Sequence, residues 1–392
     1  MSSEVPELFK DLKIINPDEK IVYCKKCVMS NQRPRVHFNS EGICGQCLYS
    51  EYKKTIVDWD KREKELSDLC DKYRKDDGSH DVIVPGSGGK DSSYVAYILK
   101  EKFGMNPLTL TWAPTIPTEI GRQNLQAFID SGYDNIYISP NGIKNQKLSK
   151  IALEEFGDHF MPFIYGQYHY SLVLAARYDI PFIMFGENGE LEYGGSLKNF
   201  DNPRMEVTKQ DYILEKFSNF PPEYWTQHGL KISDLKMYLP PTTEEIQKSG
   251  VEKHYFSYYE NWSPEKHYEV TKQHVGFRPE STRSEGTYTN FASLDDKTDG
   301  FHYYLMFIKF GIGRTTSDAA HQIRDGIISR DEGVDLVHKY DGEFPSKFLD
   351  VFLDYMKIDK SKLEQIFDKF RRDIIWKKEN DQWVLREQVK KI

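Results

Sequence analysis

Residues 80–104 read as a single folding unit, and that unit sets the class of the chain. His80-Asp81-Val82-Ile83-Val84 is a short β-branched run. Pro85-Gly86-Ser87-Gly88-Gly89 breaks it, and Lys90-Asp91-Ser92 opens a helical stretch, SSYVAYILKEKFG. A strand that turns through glycines directly into a helix is the repeating unit of parallel sheets covered by helices on both faces. The unit repeats: Leu108–Trp112, Asn135–Ser139 and Pro181–Phe185 read as strands, Glu119–Ser131 and Gly166–Tyr178 as helices. The alternation predicts a parallel, doubly wound α/β sheet. Ligands of such sheets bind beyond the carboxyl ends of strands. Two turns occupy such ends, 86–92 and Gly186-Glu187-Asn188-Gly189-Glu190.

The first turn has the chemistry of an anion site. Gly88 and Gly89 carry no Cβ, so backbone can approach a phosphate closely. The helix start adds free N–H groups and a positive dipole end, and Ser87, Lys90 and Ser92 add two hydroxyls and a cation. The pattern GxxxxGK[ST] of a Walker A loop is absent. Ser87-Gly88-Gly89-Lys90-Asp91-Ser92 instead resembles the PP-loop, SGGxDS, of enzymes that split ATP into AMP and pyrophosphate. That resemblance implies ATP bound at these six residues, with the α-phosphate open to attack and Lys90 and Asp91 in catalytic roles.

Glu187, Asn188 and Glu190 are candidates for holding Mg²⁺ beside the nucleotide, since the ion is usually held by one or two carboxylates plus phosphate. A solvent-facing acidic turn would look the same. Lys309 and Arg314 bracket Gly311-Ile312-Gly313. Cations beside glycines suit a charge clamp on a transferring phosphate, and equally an ordinary charged loop. Asp295, Asp296 and Asp299 face either ligand or water. For His274, His302 and His321 the default is a structural role.

Cys24-x2-Cys27 and Cys44-x2-Cys47 stand 16 residues apart. Two thiolate pairs at this spacing can surround one tetrahedral Zn²⁺ and leave no open position for water, which predicts a structural site. Neither pair follows a strand and opens a helix, which argues against a redox role. Cys70, on the apolar stripe Ile56, Trp59, Leu66, Leu69, Tyr73 of a helix over residues 51–76, reads as core.

The net charge of -8 argues against a broad nucleic-acid surface. No stretch reaches the roughly 18 apolar residues of a membrane span. The N-terminus is acidic, without the apolar segment of a signal peptide. A cytoplasmic, reducing setting is expected, in which paired cysteines take metal. The expected organisation is a flexible arm over 1–20, a zinc module over 21–50, and a linking helix over 51–79. An ATP-binding domain follows over 80–195. Residues 196–290, with Pro221-Pro222, Pro240-Pro241 and the aromatic run HYFSYYENW, form an insertion shaping a substrate or partner surface. A helical region over 291–392 completes the active site.

Taken together, YCKKCVMSNQRPRVHFNSEGICGQC, VPGSGGKDSSY, FGENGE and the block Gly286–Pro345 resemble the N-acetyl sugar amidotransferases of the WbpG and PseA kind. The resemblance covers most of residues 21–345. It implies an enzyme that adenylates an acetamido oxygen of a nucleotide-linked sugar and displaces AMP with ammonia. It also implies bacterial surface glycans, O-antigen or pseudaminic acid on flagellin, as the destination. In that family a separate HisH-like glutaminase with a HisF-like subunit supplies the ammonia. Two other readings compete. A tRNA-modifying PP-loop enzyme, a thiolase or lysidine synthase, would want a basic face, and a thiolase also a reactive cysteine. A non-catalytic zinc scaffold would not need the lysine of the loop.

Overall fold

The computed structural model describes residues 5–205 and 222–392. Val82–Pro85 (β3) begins the central sheet, with Val82, Ile83 and Val84 each almost wholly buried. Around it lie Pro107–Trp112 (β4), Asp134–Ile138 (β5), Phe182–Phe185 (β6) and Glu252–Tyr255 (β7). The order is β5-β4-β3-β6-β7, and every pairing is parallel. The chain runs outward from β3 through β4 to β5, then crosses back to β6. The crossover reverses direction between β3 and β6, the place where doubly wound sheets open a crevice for ligand.

Alternation along β3 explains why helices cover both faces. Ile83 packs with Leu108, Leu110 and Trp112 under Met161–Tyr178, whereas Val82 and Val84 pack with Leu99 and Phe128 on the other side. On the first face the helix lies so close that a Cβ on Gly166 would stand 2.0 Å from the Trp112 ring. The second face is covered by Lys90–Glu101 and Glu119–Asp130. Gly142–Phe156 is a further helix between β5 and β6 that periodicity did not single out.

Several expected boundaries shift for physical reasons. The arm over 1–20 is not free along its described part. Phe9 is buried against Tyr52 and Phe200, with ring centroids 5.6 and 5.1 Å away, and Lys13–Ile14 (β1) pairs with His37–Phe38 (β2). Residues 51–76 are two helices, Gly45–Thr55 (α1) and Trp59–Tyr73 (α2). Asp58 starts the second by accepting from the Lys61 N–H, and Ile56, at the break, is exposed. The ATP-binding fold does not end at 195, because β7 comes from the stretch read as an insertion. Pro264–His274, from the same stretch, packs on Lys90–Glu101. Pro221 of that reading lies outside the described residues.

The C-terminal region is helical as expected: Asp299–Phe310, Arg314–Asp325, Arg330–Tyr340, Leu349–Met356 and Lys360–Phe370. The last helix stops at Phe370, and a hairpin of Trp376–Glu379 (β8) and Gln382–Leu385 (β9) follows. No described helix is long and apolar enough to cross a membrane.

Candidate active site

The loop after β3 and the loop after β6 face one another across the crevice. They line a cavity of about 300 Å³ with Ser87, Gly88, Gly89, Lys90, Asp91, Ser92, Glu187, Asp295 and Arg314. All six residues of the predicted phosphate loop are therefore in one wall. Gly88 has φ +79°, and a Cβ there would lie 2.6 Å from the Leu125 backbone, so only glycine fits. Gly89 differs. It precedes the helix as its N-cap, and a Cβ on it would meet nothing nearer than the Ser87 hydroxyl at 3.8 Å. Its missing side chain leaves open room, next to the free N–H groups of the helix start.

Lys90 is buried and its ammonium lies 2.5 Å from the Asp91 carboxylate. Asp91 also accepts from Nδ1 of His267 at 2.8 Å. Burial alone would raise the Asp91 pKa, but Lys90 and His267 more than offset it and hold the carboxyl well below its usual range. His267 is fully buried, with Tyr94 stacked at 4.2 Å and Trp262 edge-on at 4.3 Å. Burial lowers its pKa against the pull of Asp91, and its Nδ1 faces the carboxylate.

Glu187 shares this wall. Burial, reinforced by the charge of Asp91, pushes its carboxyl up to about 7. Asp295 is likewise raised by burial, against a hydrogen bond from Ser87. Two carboxyls short of positive charge thus face the cavity beside the loop. Asn188 and Glu190 do not join them. The Asn188 side chain caps the short helix Gly189–Tyr193 by accepting from the Glu190 N–H, and Glu190 pairs with Arg35 and accepts from the Ser196 N–H.

A second compartment of about 520 Å³ adjoins the first and shares with it Ser87, Lys90, Asp91, Glu187 and Arg314. Its remaining wall includes Arg33, Thr289, Asp299, His302, Tyr303 and His321. Arg314 opens the helix Arg314–Asp325 at the boundary of the two spaces. It is fixed by Asp318 at 3.0 Å, by Ser293 at 3.1 Å and by the Tyr303 hydroxyl. Lys309 is not brought in. Its ammonium bonds to the Phe156 carbonyl at 3.2 Å, and it is absent from both walls. Asp296 serves the backbone, accepting from Thr115 and from both donors of Thr298. His302 is paired with Asp158 at 2.9 Å on the compartment's edge. His274 stacks on Tyr97 at 5.0 Å and stays out of both spaces.

Cys24, Cys27, Cys44 and Cys47 are all buried, with their sulfurs within 4.8 Å of one another. Cys24–Cys47 and Cys27–Cys44 are 3.8 and 3.6 Å apart, close to the roughly 3.8 Å edge of a Zn–S₄ tetrahedron with 2.3 Å bonds. Backbone N–H groups of Lys26, Cys27, Met29 and Cys44 point at the sulfurs from 3.2 to 3.4 Å, as thiolates require. The donor set fits a closed, structural metal site. Cys44 does precede a helix, as the N-cap of α1, so the expectation that neither pair opens one is corrected. The convergence of all four sulfurs carries the metal reading instead. Cys70 is buried in the core with its thiol pushed up to about 12 by burial, which suits no nucleophile.

The module is not peripheral. Arg330 binds the carbonyls of Cys24 and Cys27, and Lys53 forms a buried pair with Glu192 at 2.9 Å. Arg33, between the two cysteine pairs, reaches the Gly194 carbonyl at 2.9 Å and the Ser317 hydroxyl at 3.3 Å. Sequence reading passed over both Arg33 and His267. Each is a single residue whose role exists only once distant segments meet.

Residues 285–390 match the family described as LPS biosynthesis protein WbpG-like, C-terminal domain. The match spans about a quarter of this chain. Arg314, Tyr303 and the rest of the larger part of the second compartment's wall belong to it. An uncharacterized protein of Methanocaldococcus jannaschii, MJ1599, is 33% identical over 86 residues, 22% of this chain. The chain covers 30% of that relative's length. Among solved structures, the U34-tRNA thiolase NcsA of Methanococcus maripaludis with its [4Fe-4S] cluster aligns at TM-score 0.31 and 13% identity. That alignment covers 78% of this chain and 86% of the thiolase. An NH3-dependent NAD synthetase of Campylobacter jejuni aligns at TM-score 0.27 and 18% identity, over 49% of this chain and 95% of the synthetase.

Proposed function

We propose that this chain is an AMP-forming, ATP-dependent amidotransferase that converts an acetamido group of a sugar into an acetamidino group. The supporting observation is the junction of two compartments at Lys90, Asp91, Glu187 and Arg314, one built on a phosphate loop and the other largely on the WbpG-like domain. In this reading ATP lies in the first space with its pyrophosphate end on residues 87–92. The acetamido oxygen enters from the second space and attacks the α-phosphate, and pyrophosphate leaves against Lys90 and the loop N–H groups. Arg314 faces the shared boundary, where negative charge builds on the transferring phosphate. Ammonia then adds to the imidate carbon, and the C–O bond to AMP breaks.

Adenylation answers a chemical need, because an amide oxygen is a poor leaving group and AMP is a good one. Glu187, with Asp295, is positioned to receive a Mg²⁺ ion carried by the nucleotide. Bound there, the ion would offset phosphate charge. The cysteine module would hold zinc and fix the segment that carries Arg33. We further propose a HisH-like glutaminase and a HisF-like subunit as the ammonia source, a nucleotide-linked acceptor, and a cytoplasmic role in making bacterial surface glycan.

The test is product analysis. With α-labelled ATP, an acetamido sugar and ammonium salt at high pH, the label is expected in AMP. Glutamine in place of ammonium should give nothing until a glutaminase is added. Label in ADP, or turnover with glutamine by the chain alone, would overturn the reading.

A further inference from the structure

His302 lines the second compartment and not the first. Its Nδ1 lies 2.9 Å from the Asp158 carboxylate, which lines neither space, so the imidazole is the member of the pair that reaches the compartment. The Phe160 N–H donates to the same carboxylate oxygen at 3.1 Å, and the Phe160 ring stacks on the imidazole at 5.0 Å. Burial would raise the Asp158 pKa, but His302 first, then Lys309 and His159, hold it below its usual range. An ionised carboxylate only accepts, so Nδ1 donates and Nε2 is left as an acceptor. Nε2 takes no partner from the described residues. Two further charges face the ring: Asp299, one turn earlier on the same helix, and Lys309, near the helix end. Burial lowers the His302 pKa, but Asp158 and Asp299 more than offset it and make the imidazole more basic than usual. His159, beside Asp158, is pushed down to about 3 by burial and stays neutral.

The dyad is tied to the reacting end of the compartment. Asp299 shares the compartment wall, and its charge acts on Asp295 and Arg314 as well as on His302. Asp295 in turn accepts from Ser87 of the phosphate loop. Asp299 and His302 therefore continue the wall that Ser87, Asp295 and Arg314 begin. Around His302 that wall is apolar, with Phe160, Phe163, Ile164 and Met306. Such a lining disfavours charged ammonium and favours neutral ammonia. The other titratable groups of the wall are already engaged. In the reaction proposed above Glu187 and Asp295 receive the metal-nucleotide, and His321 has its two ring nitrogens turned to Glu192 and Asp325.

We infer that His302 is the catalytic base of the ammonia step, with Asp158 as its positioning residue. This inference rests on the proposed reaction and assigns the proton that the reaction must lose. The lone pair of ammonia forms the C–N bond to the imidate carbon, which leaves that nitrogen positively charged. His302 Nε2 takes one of its protons, and Asp158 stabilises the imidazolium that results. The C–O bond then breaks, its electron pair leaves with AMP, and the amidinium remains. His302 passes the proton on to solvent.

The experiment compares two stages of turnover in the full chain, with Mg-ATP, ammonium chloride and either UDP-N-acetylglucosamine or UDP-N-acetylgalactosamine as probes. Without ammonium, exchange of labelled pyrophosphate into ATP reports adenylation. With ammonium, amidine formation reports the whole sequence. His302→Gln should slow amidine formation about a hundredfold and pyrophosphate exchange far less. A merely structural histidine would depress both equally, and that result would overturn the inference. A second readout needs no turnover and serves if the glutamine variant folds poorly. In an NMR titration the His302 imidazole should have its midpoint above 6.5, and Asp158→Asn should lower it. A midpoint at or below 6.5, or one that Asp158→Asn does not move, would also overturn the assignment. The two failures are distinct. A wild type that neither exchanges pyrophosphate nor forms amidine sinks the proposed reaction, whereas one that does both, with equal losses in His302→Gln, sinks only the role of His302.

Discussion

The Asp91 carboxylate accepts a hydrogen bond from Nδ1 of His267 at 2.8 Å, joining the phosphate loop to a residue 176 positions later. The bond leaves the other Asp91 oxygen to Lys90, so one buried histidine sets the geometry of both charged loop residues. His267→Phe keeps an aromatic ring between Tyr94 and Trp262 and removes only the bond. Its pyrophosphate release is expected to fall about tenfold, the cost of roughly 1.4 kcal/mol, with melting little changed. His267→Ala also opens a cavity and should cost about 3 kcal/mol of stability. Full activity in the phenylalanine variant would show that Asp91 needs no anchor.

Gly88 and Gly89 are neighbours in sequence but should fail in different ways. Gly88→Ala drives a Cβ into the Leu125 backbone from a left-handed residue, and should destabilise the fold by more than about 2 kcal/mol. Gly89→Val puts its side chain into open cavity, so the protein should fold, less about 1 kcal/mol for the altered N-cap. ATP binding should nonetheless be lost. Thermal melting and nucleotide titration of the two variants check the pair, and wild-type ATP affinity in Gly89→Val would move the nucleotide elsewhere.

Lys90→Ala should still fold, with melting lowered because Asp91 loses its ammonium partner, and should remove one preorganised charge from the departing pyrophosphate. A contact of this type is worth on the order of 3 kcal/mol, about a hundredfold in rate. The measurement is AMP formation at saturating ATP. An undiminished rate would remove Lys90 from the mechanism.

Cys44→Ser should abolish tight metal binding, with zinc falling from about one per chain toward zero by elemental analysis. Closed thiolate sites contribute directly to folding energy, and here the module also carries Arg330's contacts to the Cys24 and Cys27 carbonyls. A large drop in melting temperature is therefore expected. A metal-free wild-type protein that melts unchanged after chelation would refute the site.

The parts of this molecule legible from sequence are those whose signal is contiguous. The run from Val82 to Leu99 spells strand, glycine turn and helix without interruption, and four of the five sheet strands carry the same apolar signature. The fifth strand, Glu-Lys-His-Tyr, carries none. Its Lys253 and His254 are buried because the Lys253 ammonium donates to the Tyr168 carbonyl at 2.9 Å and His254 Nδ1 meets the Tyr259 hydroxyl at 2.6 Å, partners that tertiary packing supplies. Lys309 and Arg314 looked equivalent because they flank the same glycines. One helix ends at Phe310 and the next begins at Arg314, so the two cations point to different places. The glycine turn after β6 was located correctly, yet only Glu187 of its three candidates faces the cavity, since capping and an ion pair use up Asn188 and Glu190.

Glu187 makes the last prediction one of pH. Burial first, and then the charge of Asp91, raises its carboxyl from 4.5 to about 7. Between those values the folded chain holds a proton that the unfolded chain has lost. Stability from this group is therefore fully present below about pH 4.5 and falls as pH rises through 7. Asp296, raised to about 7, and Asp341, raised to about 6, act in the same direction. The comparison of wild type with Glu187→Gln isolates the one group, and the variant should lose less stability between pH 5 and pH 7.5. Magnesium with nucleotide reverses the balance, because a cation favours the carboxylate and expels the proton. Calorimetry of Mg-ATP binding near pH 7, in buffers of different ionisation enthalpy, should show up to about half a proton released by wild type and markedly less by Glu187→Gln. Heats independent of buffer in the wild type would mean that Glu187 does not meet the metal-nucleotide.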